Sequence, residues 1–163
     1  MKAKRVILLG AVFVLFMVNI APAATITVKV GNGKGQPEKS AELPITVSSL
    51  KGLEIIAMDL SLEYDASVLS FSALNTEGTI IKDWSTPIYH STPGILTIAM
   101  YSTKAIEGKG KLLKIIFNVN AQAKAGKTQV MLRQIIFNDG KIPVVLKKGT
   151  IKIAPLRRKL NRR

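Results

Sequence analysis

From Met58 to Tyr64 the chain alternates without a break: Met58, Leu60, Leu62 and Tyr64 are apolar, Asp59, Ser61 and Glu63 polar. It then enters a Tyr-Asp-x-x-Val-Leu corner that ends at Val68 and Leu69. A period of two fits an extended strand and excludes a helix, whose like side chains recur every three or four residues. Such a strand buries one face and leaves the other free for recognition. The same pattern extends along the chain after its first two dozen residues. Short segments rich in Val, Ile, Leu and Thr recur between Gly, Pro, Asn and Asp, and none holds a helical period for the usual length of about ten residues. Strands are expected near Thr25 to Val30, Ala41 to Val47, Leu53 to Tyr64, Val68 to Ala73, Ile88 to Tyr89, Gly94 to Tyr101, Lys111 to Asn118 and Thr128 to Phe137, with two more between Ile142 and Ile153.

Many short strands joined by turns such as Asn32-Gly33, Thr92-Pro93-Gly94 and Asp139-Gly140 point to two sheets packed face to face, an all-β sandwich or jelly roll. Within Lys111 to Val119 the residues Leu113, Ile115, Phe117 and Val119 form an inward row. Leu112 and Ile116 interrupt the outward one, either covered by a loop or part of an exposed patch. The longest connections are expected at 75–87 and 102–110, flanking one end of the sandwich. Neither an internal repeat nor a second domain is visible, and a solenoid is excluded.

The chain begins with a charged Met1-Lys2-Ala3-Lys4-Arg5, continues through an apolar run from Val6 to Ile20 and reaches Ala21-Pro22-Ala23. That order is the pattern of a cleavable signal peptide, residues 1–23, with the cut after Ala23. The other reading, an uncleaved anchor, suffers because the 15 apolar residues fall short of the ~20 a spanning helix needs. The protein is therefore expected to be secreted, extracellular or associated with the cell envelope. The mature chain divides into a domain at 24–153 and a basic, disordered tail at 154–163. It is long enough to bury a core without staples, and the absence of cysteine excludes disulfides and thiol chemistry.

The formal charge of +14 loses Lys2, Lys4 and Arg5 with the signal, and Arg157, Arg158, Lys159, Arg162 and Arg163 crowd into the tail. The remaining excess has few interleaved aromatics and argues against nucleic acid as a partner. Contact with a membrane is expected only through the signal segment or weakly through the tail, which also suits acidic polysaccharide. A single histidine, His90, and no cysteine leave no nucleophile triad or zinc site in motif form, and nothing pairs any two of the ten carboxylates as glycosidase partners. The chain reads as non-enzymatic, with His90 a turn or edge residue. Gly31-Asn32-Gly33-Lys34-Gly35 lacks the Gly-Lys-Ser/Thr ending of a phosphate loop and reads as a mobile turn. No run carries the ligand spacing of a calcium loop, so no metal or other cofactor is expected on this chain.

Three segments together resemble the cohesin domain, the receptor module with which bacterial scaffolding proteins capture dockerins. They are Ala41-Glu42-Leu43-Pro44-Ile45-Thr46-Val47, then Ile56 to Asp65 with Val68-Leu69, and Gly110 to Phe117 with Gly126. The resemblance covers nearly all of Ala24 to Ile153 and implies a nine-stranded jelly-roll sandwich. It implies a dockerin-type partner, with any calcium held by that partner, bound across one sheet face around an Asp on the third strand and a hairpin of strands five and six. Asp59 matches that Asp, with Ala57 and Ser61 beside it; Ser85, Pro87, Tyr89, Ala99 and Ser102 match the hairpin positions, Tyr89 as the aromatic anchor. Ala57 and Ser102 stand where polar or acidic groups are common, so the pairing chemistry differs from the familiar one. Ala66 replaces a frequent proline. Lacking linkers and further modules, the chain is a minimal receptor, a cohesin reused elsewhere, or a fragment. Two other functions remain open at this point: direct binding of polysaccharide, with Trp84 and Tyr89 as a small stacking platform, and a structural or adhesive role in an envelope assembly, with the tail as anchor.

Overall fold

A computed structural model describes residues 25–155; the expected signal peptide at 1–23 and the tail beyond Pro155 lie outside the described residues. In chain order the strand segments are β1 (Ile26–Val30), β2 (Asn32–Gly35), β3 (Ser40–Val47), β4 (Ile55–Tyr64), β5 (Leu69–Asn75), β6 (Ile88–Thr92), β7 (Ile95–Ile106), β8 (Gly110–Val119), β9 (Gly126–Phe137), β10 (Val144–Lys147) and β11 (Gly149–Ile153). They form a five-stranded sheet of order β10-β1-β3-β8-β5 and a six-stranded sheet of order β2-β11-β9-β4-β7-β6. The inward rows of both sheets make one core. Met58, Leu60, Leu62 and Tyr64 are buried from one side and Leu113, Ile115, Phe117 and Val119 from the other, with Tyr64 tilted against Phe117 at 4.9 Å between ring centres.

Eleven segments are nine strands, because the first and last strands each change sheets. β1 passes through Gly31 into β2, and β10 passes through Lys148 into β11, so each leaves the five-stranded sheet and joins the six-stranded one. The two run parallel throughout, β1 with β10 and β2 with β11. Their crossing needs glycine. A methyl group on Gly149 would overlap the carbonyl oxygens of Gly31 and Val30, the latter at 2.7 Å, and one on Gly31 would meet Pro44 at the same distance. Pro44 in turn sits one residue past the last β1 partner of β3, Ile45, and its carbonyl accepts from the Gly31 amide at 2.7 Å. A proline is tolerated inside that strand because the neighbour has already turned away.

Segment Gly31–Gly35 is therefore a sheet-switching strand, which corrects the expectation of a mobile turn. Gly33 and Gly35 are its inward positions, where a Cβ would strike the Glu42 carbonyl at 2.8 Å and Val119 at 2.6 Å. β7 also runs further than the alternation suggests. It reaches Ile106, which pairs with Ile55 across an irregular stretch, so the connection expected at 102–110 shrinks to three residues. The connection from β5 to β6 is long as expected; it buries Ile81, and its Ile80 amide donates to the Lys111 carbonyl at 2.9 Å. Leu112 is covered rather than part of a patch. The register of β8 on β3 jumps from Lys111 opposite Thr46 to Leu113 opposite Ile45, so Leu112 is a bulged residue and two successive leucines are buried.

The corner after β4 is tied by Asp65, whose carboxylate accepts from the Ser67 hydroxyl at 2.6 Å and the Ser67 amide at 2.9 Å. Those bonds, the hydroxyl first, hold its carboxyl below the ordinary 3.8. Because the folded group titrates below the unfolded one, its contribution is complete above the unfolded value and is lost as pH falls through the folded value. The stability advantage of the natural protein over Asp65→Asn should thus shrink in urea titrations carried below pH 3.8. At the crossing, Gly149→Ala should lower stability by about 2 to 3 kcal/mol, read from the urea midpoint at neutral pH.

Candidate binding face

The six-stranded sheet turns its second face to solvent, and the register sets a grid of side chains there. Ile88, Ala99, Asp59 and Ile136 lie in one row across β6, β7, β4 and β9. The next row holds His90, Thr97, Ser61 and Gln134, and the one after it Thr92, Ile95, Glu63 and Met131. In the first two rows short side chains occupy the two middle strands and longer ones the flanks, so the face is concave there, with a hollow of about 360 Å³ over Asp59, Ser61, Thr97 and Ala99. The rim is apolar. Ile88 is 66% exposed, Tyr101 60% and Ile95 41%, an unusual exposure for large hydrophobic side chains in neighbouring strands. All the exposed large hydrophobic residues described, except Val145, belong to this sheet.

Asp59 is exposed at the centre of the hollow and makes no ion pair or side-chain hydrogen bond among the described residues. Its two neighbours in the row, Ala99 and Ile136, are apolar and half-buried, so nothing in that row engages the carboxylate. Glu63, by contrast, is engaged: Arg133 reaches it with two nitrogens at 2.9 Å. Ala57, half-buried, stands beyond Asp59 opposite Tyr101. Its end of β4 is held from a distance by Asn138, whose Oδ1 accepts from the Ile56 and Ala57 amides at 2.9 and 3.1 Å while Nδ2 donates to the Glu54 carbonyl. Asn138 takes a positive φ of 51°, which asparagine tolerates better than most residues.

The structure gathers Asp59, Ala57, Ser61 and Ala99 on this face and divides the remaining sequence candidates. Tyr89 pairs with Ile98, so it lies on the inward side of β6, at the open edge of the sandwich, with its ring against Phe71 at 5.1 Å. The outward anchor positions of β6 belong to Ile88 and His90. Ser85 is half-buried and already bonded to Tyr101, its hydroxyl accepting at 3.1 Å and its amide donating at 2.9 Å. Pro87 is half-buried at the entry to β6, and the Ser102 hydroxyl accepts from the Lys104 amide at 3.0 Å. Trp84 packs partly buried against the core, and no ring contact joins it to Tyr89 among the described residues. Sequence reasoning missed Ile88, Ile136 and Tyr101. Their signal was the surplus of apolar residues on strands whose inward rows were already full.

Among the described residues no three His, Asp or Glu side chains form a metal-binding group. A known family matches the chain: the cohesin domain aligns with residues 26–153, the whole sandwich from β1 to β11. The chain belongs to the cohesin family. Solved structures with the same fold include CaCohA2 from Clostridium acetobutylicum, 21% identical over 81% of this chain and 92% of that one, TM-score 0.69. A non-cellulosomal cohesin from the hyperthermophilic archaeon Archaeoglobus fulgidus is 19% identical over 80% and 92%, TM-score 0.67. A type I cohesin–dockerin complex from Clostridium thermocellum is 19% identical over 80% and 100%, TM-score 0.67. No curated protein matches the sequence. The cohesin resemblance and the jelly-roll sandwich read from the sequence are thereby borne out.

Asn138 ties the first residues of this cohesin's β4 to the end of β9. Asn138→Ala should cost about 1 to 2 kcal/mol and speed hydrogen exchange at the Ile56 and Ala57 amides. Asn138→Asp, which keeps the acceptor, should preserve that protection.

Proposed function

We propose that this cohesin is a non-catalytic receptor that takes a dockerin-type module on the outer face of β4, β7 and β6. The observation that carries the reading is the row Ile88, Ala99, Asp59 and Ile136: a concave apolar strip with one unpartnered carboxylate at its centre. A helix laid across such a strip would bury the isoleucines and offer Ser, Thr or backbone donors to Asp59, a geometry in which a single desolvated polar contact dominates the binding energy. Tyr101 and Ile95 would close the rim against water. Any calcium belongs to the dockerin's own loops. Export, and work in a surface-bound or polysaccharide-degrading assembly, are part of the same proposal and rest on the N-terminal pattern and the family.

Calorimetric titration of the purified protein with dockerin modules encoded in the same genome, in calcium and in EDTA, tests it. The expected result is calcium-dependent binding at submicromolar strength, weakened by roughly 2 to 4 kcal/mol in Asp59→Ala. An unchanged dissociation constant for that variant would remove Asp59 from the interface, and failure of every dockerin to bind would sink the reading.

A further inference from the structure

At the other end of the same sheet face three lysines stand side by side. The register places Lys34 opposite Lys152 on β2 and β11, and Lys152 opposite Lys127 on β11 and β9. All three are exposed and turned outward, since Gly33, Ile151 and Thr128 hold the buried positions beside them. Neighbouring strands are about 4.8 Å apart, so three ammonium groups line up across the strands within about 10 Å. Like charges directly opposite one another destabilise a sheet. The five-stranded sheet has only a pair of this kind, Lys29 beside Lys147.

Nothing on the protein relieves the repulsion: among the described residues none of the three has a carboxylate or hydrogen-bond partner. The row behind them supplies more donors. Asn32 Oδ1 is occupied by the Thr150 amide at 3.2 Å and hydroxyl at 3.1 Å, and Gln129 Oε1 by Lys148 Nζ at 3.2 Å. Both oxygens are engaged, and the two side-chain NH₂ groups have no partner among the described residues. The unengaged groups are thus three ammoniums and two amide donors.

We infer that the lysine ladder Lys34–Lys152–Lys127 is a second binding surface, separate from the Asp59 hollow, and that it takes a linear acidic polysaccharide bearing carboxylates. A row of equally spaced cations fits a polymer with one charge per repeating unit laid across the strands. A lipid surface is less well matched, because no large apolar side chain is exposed on β2 or β11 to enter it. Nucleic acid is less well matched because the ladder has no aromatic ring for bases to stack on.

The test uses the full chain against fluorescent polygalacturonate, neutral dextran, vesicles of equal phosphatidylglycerol and phosphatidylcholine, and duplex DNA. Polygalacturonate should bind, dextran should not, and added salt should weaken the complex. The triple variant K34Q/K127Q/K152Q should lose on the order of tenfold or more in affinity, with a thermal midpoint no lower than that of the natural protein, since it removes like-charge repulsion. Should the triple variant fail to fold, Lys152→Gln, the centre of the row, carries the same comparison. Equal binding by the ladder variants overturns the proposal. So does tighter binding to vesicles or DNA than to polygalacturonate, or a loss confined to a variant with the five basic residues of 157–163 replaced by glutamine. Asp59→Ala should leave polygalacturonate binding unchanged, which separates this surface from the proposed dockerin site.

Discussion

Two backbone segments pass each other at Gly31 and Gly149 with no room for a side chain, and the sandwich depends on that passage. There the first and last strands leave one sheet together and enter the other together, still parallel. A strand that ended at Gly31 would leave β11 as an exposed edge and open the core above Ile151 and Ile153, both buried. Crossing as a pair lets the terminal strands close one side of the sandwich. The opposite side stays open between the edge strands β5 and β6, where Phe71 and Tyr89 meet. Parallel pairing between chain termini is non-local, so the two halves of this closure meet only after the intervening strands have brought them together.

The hollow over Asp59 is a consequence of register and not of any loop. β4 and β7 lie inside the sheet, and their inward positions are filled by Met58, Leu60, Leu62, Leu96, Ile98 and Met100, which fixes the facing of every residue between. Sliding β4 by one residue would bury Asp59 without a partner and expose methionine and leucine. Buried volume therefore holds the carboxylate in place, and the core that stabilises the domain is also what aims its face. Asn138 extends that control to the end of β4, where the ladder with β7 becomes irregular.

The alternation from Met58 to Tyr64 was enough to read β4, the inward row and the outward Asp59, because burial on one face leaves no freedom of phase. The inward row of β8 was legible for the same reason, apart from Leu112. Bulges defeat such reading: an extra residue shifts the phase, and nothing local to Leu112 announces that its partner skips from Thr46 to Ile45. Gly33 and Gly35 looked like a turn because glycine carries no hydrophobic signal, while the reason for them lies in Glu42 and Val119 on other strands. Tyr89 could have been placed correctly. The Pro93-Gly94 turn pairs Thr92 with Ile95, and counting back sets Tyr89 against Ile98, on the inward row. The family resemblance around Pro87-Ile88-Tyr89, not its facing, made Tyr89 the anchor candidate.

The bulge in β9 divides the outer face into two chemically distinct ends. Between Ser61 opposite Gln134 and Leu62 opposite Leu132, Arg133 is the extra residue, and both Arg133 and Gln134 are exposed. Extra residues of this kind bend a strand and increase its twist. The half of β9 before the bulge carries Lys127 and Gln129 beside the basic strands; the half after it carries Gln134 and Ile136 beside Asp59. Arg133 and Glu63 pair at the boundary, neutralising each other where the basic end meets the acidic hollow. Without that pair, Glu63 would stand as a counter-charge on the side of the ladder; with it, the positive field of the lysines stays uncompensated and the Asp59 carboxylate remains free. One exposed ion pair of this type contributes little to stability, so its effect on the face is electrostatic: it keeps two opposite charges on one sheet available to different ligands.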